Sequence, residues 1–104
     1  MRRGEIWWAN FPKPIGRRPV VLLSRDAAYT VRNAITVAEI TTTIRNIPVE
    51  VLLGHSEGLP KECVANLDTI ITIRKERIDT KISSLPQSKI NEIDKALRFA
   101  LDIS

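Results

Sequence analysis

Three residues in this chain have types and settings that suit chemistry: an arginine against a proline, a threonine at the end of a strand-like stretch, and an acid between apolar neighbours. Arg18 stands in Gly16-Arg17-Arg18-Pro19-Val20-Val21-Leu22-Leu23-Ser24, where two cations meet a stretch that reads as a buried strand. A cation so placed is costly unless it is paired. Its guanidinium carries charge at any ordinary pH and offers five donors in a flat fork that fits phosphate oxygens. Pro19 would fix its aim. The plain alternative is a cation that reaches from the start of a strand into solvent. Thr41-Thr42-Thr43 follows Ile40. A threonine hydroxyl can donate to one oxygen while accepting from another group, although threonine is also an ordinary strand residue. Asp68, in Asn66-Leu67-Asp68-Thr69-Ile70, offers a carboxylate to the amino edge of a base or to one of the 16 Lys and Arg residues.

The remaining reactive types narrow the choice. Trp7 and Trp8 are adjacent, so on a strand they face opposite ways. One would fill the core, and the other would stack on an unpaired base or bury itself against a partner. His55 is the single histidine and reads as a solvated loop residue, so acid–base catalysis by a histidine pair is unavailable within one subunit. Cys63 is the single cysteine and reads as a small buried hydrophobe. It excludes an internal disulfide and a thiolate metal cluster. With one histidine as well, zinc is disfavoured, and no metal or cofactor is expected. A reducing cytoplasm is the expected location.

Those residues need a scaffold. The 104 residues predict one domain, spanning 1–104, with a small core that pairing into a homodimer would enlarge. Hydrophobic residues at 43% and charged residues at 27% fit a soluble globular protein. No apolar run approaches the length of about 18 residues that a membrane span needs. The first residues, MRRGEIWWANF, lack the long apolar core of a secretory signal. The net charge of +4 suits phosphate partners, and equally plain solubility.

Short apolar runs between turn signals predict strands at Gly4–Ala9, Arg18–Ser24, Asn33–Thr41 and Val49–Leu53, one or two more within Cys63–Ile73, and a last one at Thr80–Ser84. The prolines of Asn10–Gly16 make that stretch a loop. The unbroken run Val20–Leu23 predicts a strand covered on both faces. Asp26–Arg32 holds a turn, Gly54–Lys61 a loop, and Lys75–Arg77 one helical turn. Ile90, Ile93, Ala96, Leu97, Ala100 and Leu101 fall on one helical face, so Pro86–Asp102 is predicted as a helix lying on the sheet. The architecture is then mainly β: a small, strongly bent antiparallel barrel with a packed C-terminal helix.

Six blocks in order across nearly the whole chain make it resemble the MazF/PemK-like toxin family. These are Arg3-Gly4-Glu5-Ile6, Arg18-Pro19 with its aliphatic run, Ile40-Thr41, Ile47-Pro48, Gly58 to Val64, and Thr72 to Ile78. The resemblance implies an SH3-like barrel of the CcdB/Kid/MazF type that pairs into a homodimer. It implies the toxin of a type II toxin–antitoxin module, a sequence-specific, metal-independent endoribonuclease acting on single-stranded RNA. A cognate antitoxin with an acidic tail would occupy the RNA groove. Position by position, the family's catalytic arginine falls on Arg18 and its catalytic threonine on Thr41. Arg17, Ser24, Thr42, Thr43, Asp68 and Thr69 are the expected RNA-binding residues. The chain departs from many members in its short Lys13–Gly16 loop. It also has Asn66 where one branch carries a further arginine.

The mechanism this implies is attack of the ribose 2′-hydroxyl on the adjacent phosphorus, leaving 2′,3′-cyclic phosphate and 5′-hydroxyl ends. A tethered nucleophile removes much of the entropic barrier. Arg18 would stabilise the added phosphoryl charge, and Thr41 would hold a non-bridging oxygen. Arginine is a poor base, so the general base is left unassigned, and little pH dependence is expected near neutrality. The rival is a barrel of the same shape that only binds RNA, or that inhibits a protein such as a topoisomerase.

Overall fold

The aliphatic run after Arg18 becomes an inner strand of a six-stranded antiparallel sheet. The computed structural model describes residues 1–104. The strands are β1 (Glu5–Asn10), β2 (Arg17–Leu22), β3 (Ala34–Thr41), β4 (Glu50–Leu53), β5 (Cys63–Arg74) and β6 (Ile78–Ser84). They lie in the order β4-β5-β3-β2-β1-β6. A single helical turn, α1 (Ala28–Val31), joins β2 to β3, and α2 (Gln87–Leu101) closes the chain. The sheet curls strongly without closing, because β4 and β6 each have one paired neighbour. The expected barrel is therefore a half-barrel.

β2 is buried on both faces, as its unbroken apolar run predicts. Val21 and Leu23 enter one cluster with Ile6, Ala38, Ile40, Leu67 and, from α2, Ile93 and Ala96. Val20 and Leu22 enter a second cluster with Ala9, Tyr29, Ile35, Val37, Ile73 and Ile78. Fully burying an aliphatic side chain contributes roughly 1.5–3 kcal/mol. Four in succession outweigh the cost of opening the strand on a half-buried cation.

Most boundaries fall within two residues of those read from the sequence. Cys63 to Arg74 is one strand rather than two. Its ladder with β3 breaks once: Ala38 faces Ile70, and the next residue, Glu39, faces Asn66. Leu67, Asp68 and Thr69 thus stand opposite no β3 residue. Leu67 turns into the core, and its amide donates to the Val49 carbonyl at 2.8 Å. The buried Asn66 side chain accepts from the Asp68 amide at 2.9 Å. Asp68 and Thr69 are left exposed, which is how an irregularity of this kind re-aims side chains.

α2 runs from Gln87, one residue after Pro86, and stops at Asp102, whose φ of 56° is left-handed. It is tied to the start of β1. Arg3 forms an ion pair with Asp94 at 2.8 Å, and Gly4 packs so closely on Ile90 that a Cβ would lie 2.7 Å from its Cδ1.

Candidate active site

Side chains two apart on a strand share a face. Arg18 therefore shares the face of Val20 on β2. Val20 pairs with Glu39 on β3, which puts Glu39 and Thr41 on that same face. Both strands run past their apolar clusters at this end and present polar tips. Arg18 and Thr41 line two adjoining hollows. One, of about 200 Å³, also takes in Trp8, Arg17, Pro19, Thr42 and Lys61. The other, of about 170 Å³, takes in Glu39, Thr43, Arg45, Asn66 and Thr69.

The Arg18 side chain is 35% exposed and has one ionic partner, the Glu39 carboxylate, with Nη1 to Oε1 at 3.7 Å. That distance is too long for a hydrogen bond. Its donors are thus left for a ligand. The Thr41 hydroxyl oxygen accepts from the Thr43 amide at 3.2 Å, and its own proton remains to be donated. Arg17, exposed, sits 4.8 Å over the Trp8 ring and donates to Asp79 at 2.8 Å. Hydrogen bonds from Arg17 first, then from Asn10 and Thr80, pull the Asp79 carboxyl down to about 2.

The other expected site residues divide. Thr42, Thr43 and Thr69 line the hollows. Asp68 is exposed beside Thr69 but lines neither. Ser24 lies beyond the far end of β2. There its hydroxyl accepts from the Thr36 amide at 2.8 Å and its carbonyl from the Tyr29 hydroxyl, so it is not brought to the hollows. Trp8 faces the larger hollow, and Trp7 packs against the second cluster with its indole donating to Glu5. His55 is exposed in a 3-10 turn. Cys63 is buried, and burial followed by the charges of Glu57 and Glu62 pushes its thiol up. Glu39, Arg45 and Lys61 were not singled out from the sequence. Nothing in their spacing links them to Arg18 until the register of β2 on β3 and the course of the loops are known. No three His, Cys, Asp or Glu side chains converge anywhere in the chain.

The polar end of the sheet thus offers the Arg17, Arg18, Arg45 and Lys61 cations, the Thr41 hydroxyl proton and the Glu39 carboxylate around two adjoining hollows. Residues 2–101 match the PemK-like, MazF-like toxins of type II toxin–antitoxin systems. The probable endoribonuclease MazF5 of Mycobacterium tuberculosis is 39% identical over 103 residues, 98% of this chain and 94% of that protein. Among solved structures, the Mycobacterium tuberculosis toxin MazF-mt6 is similar with a TM-score of 0.89 at 29% identity, covering 96% of this chain and 98% of that one. An endoribonuclease in complex with its cognate antitoxin, from Mycobacterial species, gives 0.88 at 27% identity, covering 100% and 97%.

Proposed function

Because the chain belongs to the PemK-like, MazF-like toxins of type II toxin–antitoxin systems, we propose that its Arg18–Thr41 hollow cuts single-stranded RNA without a metal. The observation that carries this is the shared lining: the cation at the tip of β2 and the hydroxyl at the tip of β3 open into the same two hollows. The ribose 2′-hydroxyl attacks the neighbouring phosphorus in line. The 5′-oxygen leaves, and the ends are a 2′,3′-cyclic phosphate and a 5′-hydroxyl. Arg18 meets the charge gathering on the phosphoryl oxygens. Thr41 donates to one non-bridging oxygen. Thr42, Thr43, Asp68 and Thr69 border the path of the strand and read its unstacked bases, and Arg17 adds a phosphate contact. Ser24 supports β2 from a distance.

The toxin pairs with a second copy and is held inactive by a cognate antitoxin, whose acidic tail mimics phosphates in the groove. The solved relative bound to its antitoxin supports that reading. The cytoplasm, where RNA substrates are exposed, is its place of action.

The test is purified protein with end-labelled single-stranded RNA, the fragments read by mass spectrometry. Cutting is expected with EDTA present, and not at a site made 2′-deoxy. Arg18→Ala should lose about 10³-fold or more in rate, and Thr41→Val about 10²-fold, both keeping most of the RNA affinity. Intact RNA, dependence on a metal, or cutting of the deoxy site would reject the proposal. RNA bound and left whole would favour the binding-only barrel.

A further inference from the structure

We infer that Glu39 is the general base of this reaction, the group that takes the proton from the attacking 2′-hydroxyl. The inference rests on the nuclease reading above and fills a role that reading leaves vacant. Glu39 lies two residues before Thr41, on the same face, with a side chain only 13% exposed. It is the only carboxylate lining either hollow. The other lining groups cannot take the proton. Arginine and lysine offer donors and no acceptor. The threonine hydroxyls and the Asn66 amide are neutral and far weaker bases than a carboxylate, and Cys63 is a buried member of the core.

A carboxylate kept only to brace Arg18 would be bound to it by short, charge-assisted hydrogen bonds of about 2.7–2.9 Å. The observed 3.7 Å is instead close enough for attraction and too long for a bond. Glu39 accepts no hydrogen bond from the protein and lines the smaller hollow, where its acceptors remain unused. A partly buried carboxylate with unused acceptors, lining the hollow beside Arg18, supplies the proton acceptor that such a step needs.

The step balances as follows. A Glu39 carboxylate oxygen takes the 2′-hydroxyl proton, and the freed electron pair forms the 2′-oxygen–phosphorus bond. The phosphorus–5′-oxygen bond breaks, and the leaving oxygen takes a proton from water. Glu39 returns its proton to the hydroxide so formed. The charged groups facing Glu39 are Arg18 from β2 and Arg45 from the segment after β3. β5 contributes only the neutral Asn66 and Thr69 to the hollow, with Asp68 outside it.

The experiment compares single-turnover cleavage of labelled RNA by wild type, Glu39→Gln and Glu39→Asp from acid to neutral pH, with RNA affinity measured alongside. Wild type should slow as pH falls. Glu39→Gln should lose about 10²–10⁴-fold at neutrality, lose the acidic limb, and bind RNA at least as tightly. Glu39→Asp, which withdraws the carboxylate by one methylene, should keep the limb at a reduced rate. An acidic limb that survives in Glu39→Gln, or a Glu39→Asp profile without one, overturns the assignment. So does a Glu39→Gln enzyme that cuts as fast as wild type. A wild type that leaves RNA whole overturns the nuclease reading instead, and this one with it.

Discussion

Arg17 and Arg18 are neighbours in sequence with opposite surroundings. The Arg17 fork is engaged by Asp79 and Thr80 and lies over Trp8, while Arg18 meets only Glu39, beyond hydrogen-bond distance. The two should therefore separate in kinetics. Arg17→Ala is expected to weaken RNA binding, to lower the salt dependence of the affinity by about one unit of slope, and to leave the rate at saturating RNA within a few-fold of wild type. Binding titrations at several salt concentrations, with cleavage at saturation, check this. A large loss of rate at saturation would put Arg17 in the chemistry. Residue type marked Arg18 and Thr41 only as candidates, since cations at strand starts and threonines in strands are ordinary. The roles expected of them came from the family resemblance, and the structure adds that both line the same two hollows. Glu39 was not legible in the sequence. In the alternation Ile35, Val37, Glu39 it reads as the next inward position, and only the pairing of Val20 with Glu39 brings it beside Arg18. Ser24 fails for the complementary reason: it belongs to the same quoted run, but β2 carries it to the opposite end.

Among the elements, the anchoring of α2 explains the opening Arg3-Gly4-Glu5 block without invoking catalysis. Gly4 has a φ of +88° and leaves no room for a Cβ against Ile90. Its amide donates to the Leu22 carbonyl, and its carbonyl accepts from Leu85. Glu5 is buried and opposed in its ionisation by that burial. The Trp7 indole, the Arg2 amide and Lys81 outweigh the opposition and hold its carboxyl below the ordinary value. Gly4→Ala combines a left-handed backbone with overpacking and should cost about 1–3 kcal/mol, read as a lowered denaturant midpoint. An unchanged midpoint would mean that α2 yields at no cost. The helix itself was legible from its apolar period, and its N-terminus from Pro86. The unpaired stretch in β5 was not, because Leu67-Asp68-Thr69 continues a plausible strand alternation and nothing local marks the break.

For the whole molecule, burial is divided between two apolar clusters on opposite faces of one sheet. Tyr29, on α1, joins the second cluster, and its hydroxyl donates to the Ser24 carbonyl at 2.9 Å. Burial first, then the charge of Asp26, pushes this phenol from 10.0 up to about 12. The folded state thus keeps the proton longer than an unfolded chain does. Its contribution is complete below pH 10 and is lost as pH rises from there through about 12. Tyr29→Phe should cost about 1 kcal/mol at neutral pH and show a shallower alkaline fall in stability, measured by melting temperature against pH. An equally steep fall would remove Tyr29 as the cause. That the chain is mainly β with a terminal helix was legible from its periods. That the sheet stays open was not, since pairing between the first and last strands of a curl is decided by distance in space.

The gap in the β3–β5 ladder has a consequence for how such an enzyme diverges. Asp68 and Thr69 stand outside the pairing, while Leu67 beneath them is fixed by the core. Their side chains are therefore replaceable without slipping the register of either strand. On the function proposed above, in which these two side chains read bases, a lineage that varied them would change its target sequence and inherit the blade intact.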